Sequence, residues 1–400
     1  MIQRRAGCRS VPTALCPVAV LGVVALCAGP AHGAPRYFPL RSLYSETQAS
    51  APAPLGGPPQ QRAGILSLAA ERDAAVVAVG ALRSAGQQPL VWRIACREAS
   101  VMGINVPPGL ACLRYATSAG GSVLLGGPGG ISRVGEAEIE RLDRFAGVLQ
   151  GSLMYPGPAT VREVCMGLAA DVEANVWSAG CTAFRRADAA AGGIMFPGDT
   201  RRWLTEDFGG TFDRPYPRLL RWRAPFRAMA GDPARPGVWV YGEREDGKTD
   251  LVHVDPSMAG VEPDMNPPSV VPEGVGVPQI AGPIMAADVK GRVWLAGDTL
   301  GGARVHVFDG KAFADVTPPG KLLKGRRFTQ LMTDPAGKLY ASTDGVGVLV
   351  YDGNEWRGHA INEHLPTLEG TELKPVSCMT LDTEGNLWIG TDNNVICWRE

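Results

Sequence analysis

One short phrase recurs along this chain, and its recurrence constrains the fold more than any other feature. The last copy reads Asp-Thr-Glu-Gly-Asn-Leu-Trp-Ile-Gly-Thr over residues 382–391, and earlier copies begin at Asp288 and Asp334. In each copy an apolar run, a tight polar turn and a second apolar run with an aromatic residue follow one another. Short strands that recur at a fixed, long period are typical of a β-propeller.

The same pattern extends backward through the chain, which gives a repeat count. The second strand of each repeat is marked, at spacings of 46 to 62 residues, by Ala78, Leu124, Trp177, Trp239, Trp294, Tyr340 and Trp388. The last repeat has only three strands before the chain ends at Glu400, and the apolar, aromatic stretch Arg36–Tyr44 precedes the first repeat. The sequence therefore predicts an all-β, seven-bladed β-propeller with an N-terminal strand closing the last blade.

The segment Trp356–Pro366, followed by Val376–Thr391 with its Asp-x-x-Gly-x-Leu-Trp-Ile-Gly-Thr run, resembles the two-component-regulator propeller repeat. The resemblance is good over the last third of the chain, fair in the middle and poor before Val161. In that family the propeller is usually the periplasmic sensor half of a longer histidine kinase. The resemblance implies the fold and an extracytoplasmic interaction role. It does not imply kinase activity, because we expect neither a membrane span nor a kinase after the last repeat.

The N-terminus has the pattern of a secretory signal. Arg4, Arg5 and Arg9 precede the apolar run Val18–Ala28, and small residues at 31–34 suggest a cleavage region. We interpret residues 1–33 as a signal peptide, 34–400 as a single propeller domain, and the Pro- and Gly-rich stretch 49–64 as a flexible loop. The alternative is a retained N-terminal anchor. The prediction is a periplasmic or secreted protein without a membrane span once the signal is removed.

Composition excludes some partner classes and supports a turn-rich fold. The chain has 51 Gly and 33 Pro among 400 residues. Its formal net charge of −1 becomes −4 when the three arginines of the signal are removed. A near-neutral chain of this kind does not favour nucleic acid as a partner.

Six cysteines remain in the mature chain, an even number that suggests disulfides in an exported protein. Cys165 and Cys181 flank one strand–turn–strand unit and form the favoured pair. Cys96 and Cys112 could bridge adjacent blades. Cys378 and Cys397 are the least favoured pair, because a strand lies between theirs and the gap exceeds the usual Cα limit of about 7 Å.

Catalytic and metal signatures are missing from the sequence. There is no nucleophile elbow, phosphate loop or zinc-type cysteine spacing, so we predict neither a metal nor another cofactor. His253 and His306 fall at matching places in the third strands of neighbouring repeats, which we interpret as half-buried structural positions. His359 and His364 lie near a fourth strand and its loop, and neither has an evident catalytic partner.

Most candidate binding residues lie in an insertion between repeats, Glu206–Pro225, and Trp203 lies just before it. Arginine and aromatic side chains are favoured at binding hot spots, and the candidates are Trp203, Arg214, Tyr216, Arg218, Arg221 and Trp222. The competing interpretation makes Trp222 part of an ordinary blade core. The loop Met258–Gly282 is expected to rim the same face.

These observations predict an exported, non-catalytic binding or sensing module that presents loops on one face to an unknown protein or small-molecule ligand. One alternative is a propeller enzyme of the lyase or hydrolase type with its site at the channel mouth. Another is a purely structural surface protein. An enzyme would need His or acidic groups from several blades to converge on one face.

Overall fold

The computed structural model describes most of the predicted strands. The described residues are 35–39, 63–72, 75–82, 90–106, 115–119, 121–127, 130–141, 162–174, 176–183, 192–195, 228–243, 248–255, 269–392 and 394–399. Within these ranges the chain is nearly all β, with one four-residue helix, α1 (Gly320–Leu323), and one 3-10 helix (Ala360–Glu363). The predicted signal peptide lies outside the described residues. The predicted loop 49–64 overlaps the first repeat strand at its last two residues.

The described strands form seven antiparallel sheets, numbered here in chain order. Sheet 1 contains β2 (Ala63–Ala70), β3 (Ala75–Leu82), β4 (Leu90–Ala95) and β5 (Ser100–Ile104). Sheet 2 contains β6 (Tyr115–Ala119), β7 (Ser122–Gly127), β8 (Gly130–Val134) and β9 (Ile139–Arg141). Sheet 3 contains β10 (Arg162–Ala170), β11 (Val176–Ala183) and β12 (Gly192–Met195). Sheet 4 contains β13 (Ala228–Gly231), β14 (Val238–Glu243) and β15 (Thr249–Val254).

The C-terminal sheets are described with four strands each. Sheet 5 contains β16 (Ala281–Ala287), β17 (Val293–Thr299), β18 (Gly302–Phe308) and β19 (Phe313–Asp315). Sheet 6 contains β20 (Phe328–Thr333), β21 (Leu339–Thr343), β22 (Val348–Tyr351) and β23 (Trp356–Gly358). Sheet 7 contains β24 (Cys378–Leu381), β25 (Leu387–Gly390) and β26 (Asn394–Trp398), and its fourth strand is β1 (Pro35–Pro39).

The sheets are arranged radially around a closed ring. The first strand of each sheet contacts the first strand of the next, in the order β2, β6, β10, β13, β16, β20 and β24, and β24 contacts β2 again. The prediction of an all-β propeller is therefore confirmed. A closed ring leaves no inner sheet edge open to pairing with another chain.

The N-terminal strand closes the ring as predicted. β1 pairs antiparallel with β26, with Arg36 opposite Cys397 and Phe38 opposite Val395. Phe38 is 5% exposed and stacks on Trp388 at a ring-centroid distance of 5.8 Å. The described strand covers the first part of the predicted Arg36–Tyr44 segment. The two ends of the chain are thus joined in one sheet.

The repeated phrase builds a five-residue turn between the first two strands of a sheet. In the last copy, residues 382–386, the amide of Gly385 donates to the carbonyl of Asp382 at 3.0 Å, and Gly385 has φ +81°. Only glycine adopts this left-handed conformation without strain. Asp382 Oδ1 accepts hydrogen bonds from the amides of Glu384 and Asn386, each at 2.9 Å. The aspartate and the glycine therefore fix the turn together.

The second carboxylate oxygen of the turn aspartate holds the tryptophan of the next strand. The indole Nε1 of Trp388 donates to Asp382 Oδ2 at 2.8 Å, and that of Trp294 donates to Asp288 Oδ2 at 3.3 Å. Trp177 and Asp171 repeat the contact at 3.1 Å in sheet 3. Each of these indoles is buried. We call this contact the Asp–indole latch, and the role of its aspartates is structural.

Two of the latched tryptophans pack against the following sheet, so there the latch links turn geometry to the packing of the sheets. Trp388 lies in one hydrophobic cluster with Trp92 of sheet 1, and Trp294 lies in one with Leu339 of sheet 6. Tyr340, which replaces the tryptophan in sheet 6, packs in the same way on residues of sheet 7.

One predicted equivalence was wrong by a residue. In sheet 7, Thr380 lies opposite Trp388 and two residues before the turn aspartate. In sheet 1, Ala69 stands two residues before Glu71 at the same place, and it lies opposite Val77. Val77, and not Ala78, therefore occupies the aromatic position. The run Val76–Val79 has no aromatic residue to mark the phase.

The closing strand offers a matched test. We expect Phe38→Ala to lower the free energy of unfolding by about 3–5 kcal/mol, because it empties a buried ring site against Trp388. Tyr37 is 42% exposed and on the other side of the same strand, and Tyr37→Ala should cost only about 1 kcal/mol. Urea unfolding followed by tryptophan fluorescence measures both. Equal losses would mean that β1 contributes little packing to the closure.

A second test addresses the Asp–indole latch. Asp382→Ala leaves a buried indole N–H and two turn amides without their acceptor, and we expect a loss of about 3 kcal/mol in urea unfolding. Asp309 provides the control, because its Oδ1 accepts from the amides of Lys311 and Ala312 in an exposed turn. Asp309→Ala should cost clearly less. A similar loss for both variants would show that the turn bonds alone, without the indole, account for the effect.

Candidate functional site

The two faces of the ring differ in the length of their loops. Turns between first and second strands are short, with five residues at 288–292, 334–338 and 382–386. Linkers between sheets are longer, with twelve residues at 316–327 and nineteen at 359–377. These linkers lie beside the turns between second and third strands, as the hydrogen bond from the Lys374 amide to the Gly345 carbonyl at 2.8 Å shows. We call this side the linker face.

The linker face carries a pocket of about 560 Å³ between sheets 4 and 5. One wall is the start of β15, and the other is the linker that leads to β16. Its volume is within the usual range for small-molecule sites. We call it the linker pocket; it is lined by Lys248, Thr249, Asp250, Ser269, Val271, Pro272, Glu273, Gly274, Val275, Gly276, Val277 and Gln279.

The linker wall is anchored to sheet 4 by a tyrosine. Tyr241, at the end of β14, donates its hydroxyl hydrogen to the Pro278 carbonyl at 2.7 Å and accepts from the Ile280 amide at 3.1 Å. Ile280 and Val271 are buried in the cluster between sheets 4 and 5. The wall is therefore held at its far end by hydrogen bonds and along its length by apolar packing.

The near end of the wall is held by a buried carboxylate. Ser269 Oγ donates to Asp250 Oδ1 at 2.7 Å, and the Leu251 amide donates to the same oxygen at 2.8 Å. The rim turns sharply at Pro272–Val275, where the Val275 amide donates to the Pro272 carbonyl at 3.1 Å. Gly274 has φ +85° at the third position of this turn, which is where a type II turn requires glycine.

The lining combines charge with apolar surface. Lys248 and Glu273 are exposed at the rim and bring opposite charges to the mouth, while Val271 and Val277 provide apolar contact. A few placed polar groups over an apolar lining are the usual composition of a site for a small polar molecule. The sequence signal that could have indicated this site is the turn sequence Pro-Glu-Gly inside a linker that departs from the repeat.

Comparison with known proteins identifies the repeat. Residues 373–393 match the family model of the two component regulator propeller. The match covers one repeat, which contains the first two strands of sheet 7. No curated protein sequence matches it significantly.

Solved structures similar to this propeller are distant in sequence and show the fold alone. The extracellular domain of a putative one component system from B. thetaiotaomicron has a TM-score of 0.51 and 11% identity, over 91% of this chain and 43% of that chain. PorZ, a surface component of the type-IX secretion system of Porphyromonas gingivalis, has a TM-score of 0.50 and 14% identity, over 87% of this chain and 48% of that chain. A streptogramin B lyase structure has a TM-score of 0.49 and 10% identity, over 91% of this chain and 96% of that chain. This chain spans less than half the length of the first two.

The sequence-predicted binding residues are not among those that the structure describes. Trp203, Arg214, Tyr216, Arg218, Arg221 and Trp222 all fall between residues 196 and 227, and they stay predictions. The companion loop Met258–Gly282 is described from Ser269 onward, and that part forms the linker wall of the pocket. In the described part of the chain, no helix is long and apolar enough to cross a membrane.

The structure corrects the pairing of His253 with His306. His253 lies opposite Trp239, whereas His306 lies opposite Leu295, one residue away from Trp294. Successive residues of a strand point to opposite faces, so the two histidines do not occupy matching positions. Trp239 and the residue opposite it are 14 positions apart, whereas Trp294 and Val307 are 13 apart, so the connection between the second and third strands differs by one residue in the two sheets.

The remaining histidines have separate surroundings. His359 Nδ1 accepts from the Ile361 amide at 3.1 Å and so caps the 3-10 helix. The ring of His364 lies 5.4 Å from that of Trp398. Among the described residues, no group of three or more His, Cys, Asp or Glu side chains could hold a metal ion.

His253 belongs to a buried polar cluster at the turn of sheet 4. Its Nε2 lies 3.1 Å from Asp232 Oδ2, and its ring contacts Trp239 edge-on at 4.9 Å. Arg235 Nε also donates to Asp232 Oδ2 at 3.1 Å. Burial by itself raises the pKa of Asp232, but the contacts with His253, the Ala234 amide and Arg235 outweigh burial and hold that pKa below its ordinary value.

This lowered pKa predicts an acid-dependent loss of stability. A carboxylate with a depressed pKa in the folded state stabilises the protein above its unfolded pKa of about 3.9. The contribution is lost as the pH falls through the lower, folded value. We expect Asp232→Asn to reduce stability at pH 6 and to flatten the fall of the unfolding free energy between pH 5 and pH 3. Urea unfolding across this range measures it. His253→Gln should flatten the curve in the same direction, and an unchanged acid slope in both variants would contradict the assignment.

The cysteine candidates have different outcomes. In the backbone register Cys165 lies opposite Gly180, and Cys181 lies opposite Val164, so the two are one position out of direct opposition and their bond stays a prediction. Cys112 lies outside the described residues. β25 separates the strands of Cys378 and Cys397, as expected for the least favoured pair.

Proposed function

We propose that this protein is an exported, non-catalytic binding module that recognises a small polar molecule in the linker pocket. The observation that carries the proposal is the preformed pocket itself, anchored by Tyr241 at one end and by Asp250 at the other. The opposite charges of Lys248 and Glu273 at its mouth suit a ligand that carries both charges or several hydroxyl groups. The alternative ligand is a protein, and the predicted binding residues of the segment 206–225 remain candidates for contacting it.

The proposed location follows from the N-terminal signal pattern and gains support from the fold neighbours. Two of them are an extracellular domain of a putative one component system and a bacterial surface component. A ligand-binding propeller in the periplasm or outside the cell would act as a sensor or receptor. The alternative of a lyase- or hydrolase-type enzyme stays a prediction; His253 and His359 are both engaged in contacts within the sheets and linkers.

The experiment is a binding screen with matched variants. The purified protein is heated with a panel of free amino acids, short oligosaccharides and short peptides, and compounds that raise the Tm are titrated by calorimetry. Because Lys248 and Glu273 supply charged contacts, we expect K248A and E273A to weaken binding at least tenfold. Lys311 and Glu355 are exposed in turns away from the linker pocket, and K311A and E355A should leave Kd unchanged.

The results distinguish the alternatives. A compound that binds all four variants equally occupies another site, which contradicts the assignment of the linker pocket. A panel without any stabilising compound counts against a small-molecule ligand. Conversion of a bound compound to product would support the enzyme alternative.

A further inference from the structure

Two buried thiols meet at the seam where the ring closes. Cys96 follows β4 in sheet 1, and Cys397 lies in β26 of sheet 7. Both side chains are 0% exposed, and both belong to the hydrophobic cluster that fills the interface between these two sheets. The two residues are 301 positions apart in the chain, yet the closure of the ring makes them neighbours.

The closing strand fixes the backbone around both cysteines. Arg36 of β1 lies directly opposite Cys397 in the register with β26. Its Nη1 donates to the backbone carbonyl of Cys96, and also to that of Arg97 at 3.2 Å. One residue of β1 therefore touches the backbone on each side of the seam, which holds the two cysteines in a fixed relation.

The two sulfur groups are hydrogen-bonded to each other, and this contact makes them unequal. The hydrogen bond from Cys397 lowers the pKa of the Cys96 thiol to about 7 against the effect of burial, with Arg399 and Arg36 adding positive charge nearby. The same hydrogen bond, together with burial, raises the pKa of Cys397. Cys96 is thus the sulfur that ionises, and a thiolate is the reactive form in disulfide chemistry.

The third cysteine of the cluster has a different environment and serves as an internal control. Cys378 Sγ lies 3.7 Å from Ser377 Oγ and 3.9 Å from the Ile65 carbonyl oxygen. Burial raises the pKa of Cys378 to about 12. An un-ionised, buried thiol of this kind is inert.

We propose that Cys96 and Cys397 form a disulfide bond that joins sheet 1 to sheet 7 across the closure of the ring. While the seam is open, the thiolate of one cysteine attacks the disulfide of a dithiol oxidant, and a mixed disulfide forms while one oxidant sulfur leaves as a thiol. The other cysteine then attacks the sulfur of the first and releases the second oxidant sulfur. Two electrons and two protons pass from the cysteines to the oxidant, and one S–S bond is formed.

This inference goes beyond the binding function and does not depend on it. Because both thiols are inaccessible in the closed ring, the bond must form while the seam is still open, before β1 has docked. Once formed, the bond closes a loop of 301 residues, and long closed loops restrict the unfolded chain most. The disulfide would hold the ring closed even when β1 detaches.

The first measurement maps the bond in the wild-type full chain, refolded in a mixture of oxidised and reduced glutathione. Free thiols are alkylated, and the protein is digested without reduction by trypsin and Glu-C. Cleavage after Glu384 separates Cys378 from Cys397, and cleavage after Arg97 releases Cys96. We expect the peptide with Cys96 to be linked to the peptide with Cys397. Alkylation of both cysteines, or a link from either of them to another cysteine, would overturn the proposal.

The second measurement compares Tm with and without reduction before heating. The wild-type protein is unfolded, reduced and then refolded. Its Tm should be about 5 °C lower than that of the oxidised protein. With Cys165 and Cys181 both replaced by Ser, so that their predicted bond does not contribute, Cys96→Ala and Cys397→Ala should each lose this redox-dependent difference. Cys378→Ala should keep it, although all three substitutions leave a small cavity in the same core. A difference that persists in C96A and C397A, or one that disappears in C378A, contradicts the pairing. If a variant does not fold, the wild-type peptide map still decides.

Discussion

The Asp–indole latch is the contact on which the rest of the ring depends. Burial of a tryptophan between two sheets is costly when its N–H lacks an acceptor, and in sheets 3, 5 and 7 the turn aspartate supplies one. In sheet 7 it uses the oxygen that the turn amides leave free. The carboxylate is in turn tolerated in a buried position because four donors surround it in sheet 7. Turn geometry, ring orientation and the packing of the next sheet are therefore one coupled arrangement. In sheet 1, where no tryptophan follows the turn, Glu71 forms an ion pair with Arg93, whose Nη2 donates to Oε1 at 2.7 Å. Sheet 4 keeps its tryptophan but lacks the latch: Asp232 contacts His253 and Arg235, and the buried indole N–H of Trp239 has no acceptor among the described residues.

The closing seam uses the same packing rule with strands from both ends of the chain. Trp388 is latched within sheet 7 and packs on sheet 1, but its outer side is covered only when Phe38 of β1 arrives. The last interface of the ring is thus completed by the first described strand. The ring cannot reach its final packing before the C-terminal repeat exists. The neighbouring cysteines occupy the one interface where a covalent bond would add most to this order of assembly, because the contacts there have the largest separation along the chain.

The sequence could predict those parts of the fold that are local in the chain. The phrase Asp-x-x-Gly-x-Leu-Trp encodes a turn, a positive φ and a buried aromatic residue within seven positions, so the turns at Asp288, Asp334 and Asp382 were confirmed residue by residue. The closing strand was also predictable, because a repeat with three strands requires a fourth. Ala78 was assigned in place of Val77 because this strand has no aromatic residue, and the alternation of apolar residues was the only guide to the equivalent position. The Cys96–Cys397 contact could not be predicted from sequence spacing, because it depends on the number of sheets that bring sheet 7 next to sheet 1. The linker pocket was missed for a related reason: its walls come from β15 and from a linker outside the repeat, and no periodic signal connects them.

The separation of the two faces explains how such a scaffold can carry a binding site without losing stability. The latches lie at the short turns, while the linker pocket lies on the opposite side and rests on Tyr241 and Asp250, which take no part in a latch. Glu273 and Gly274 project from a turn that is held at its base by Val271 and Ile280. Substitution at the rim changes the chemistry of the mouth but leaves these anchors in place. Substitution of Tyr241 would instead release the Pro278 carbonyl and the Ile280 amide together and loosen the wall. The charges at the pocket mouth can therefore change at Lys248 and Glu273 independently of the ring, whereas the shape of the pocket depends on the anchors at Tyr241 and Asp250.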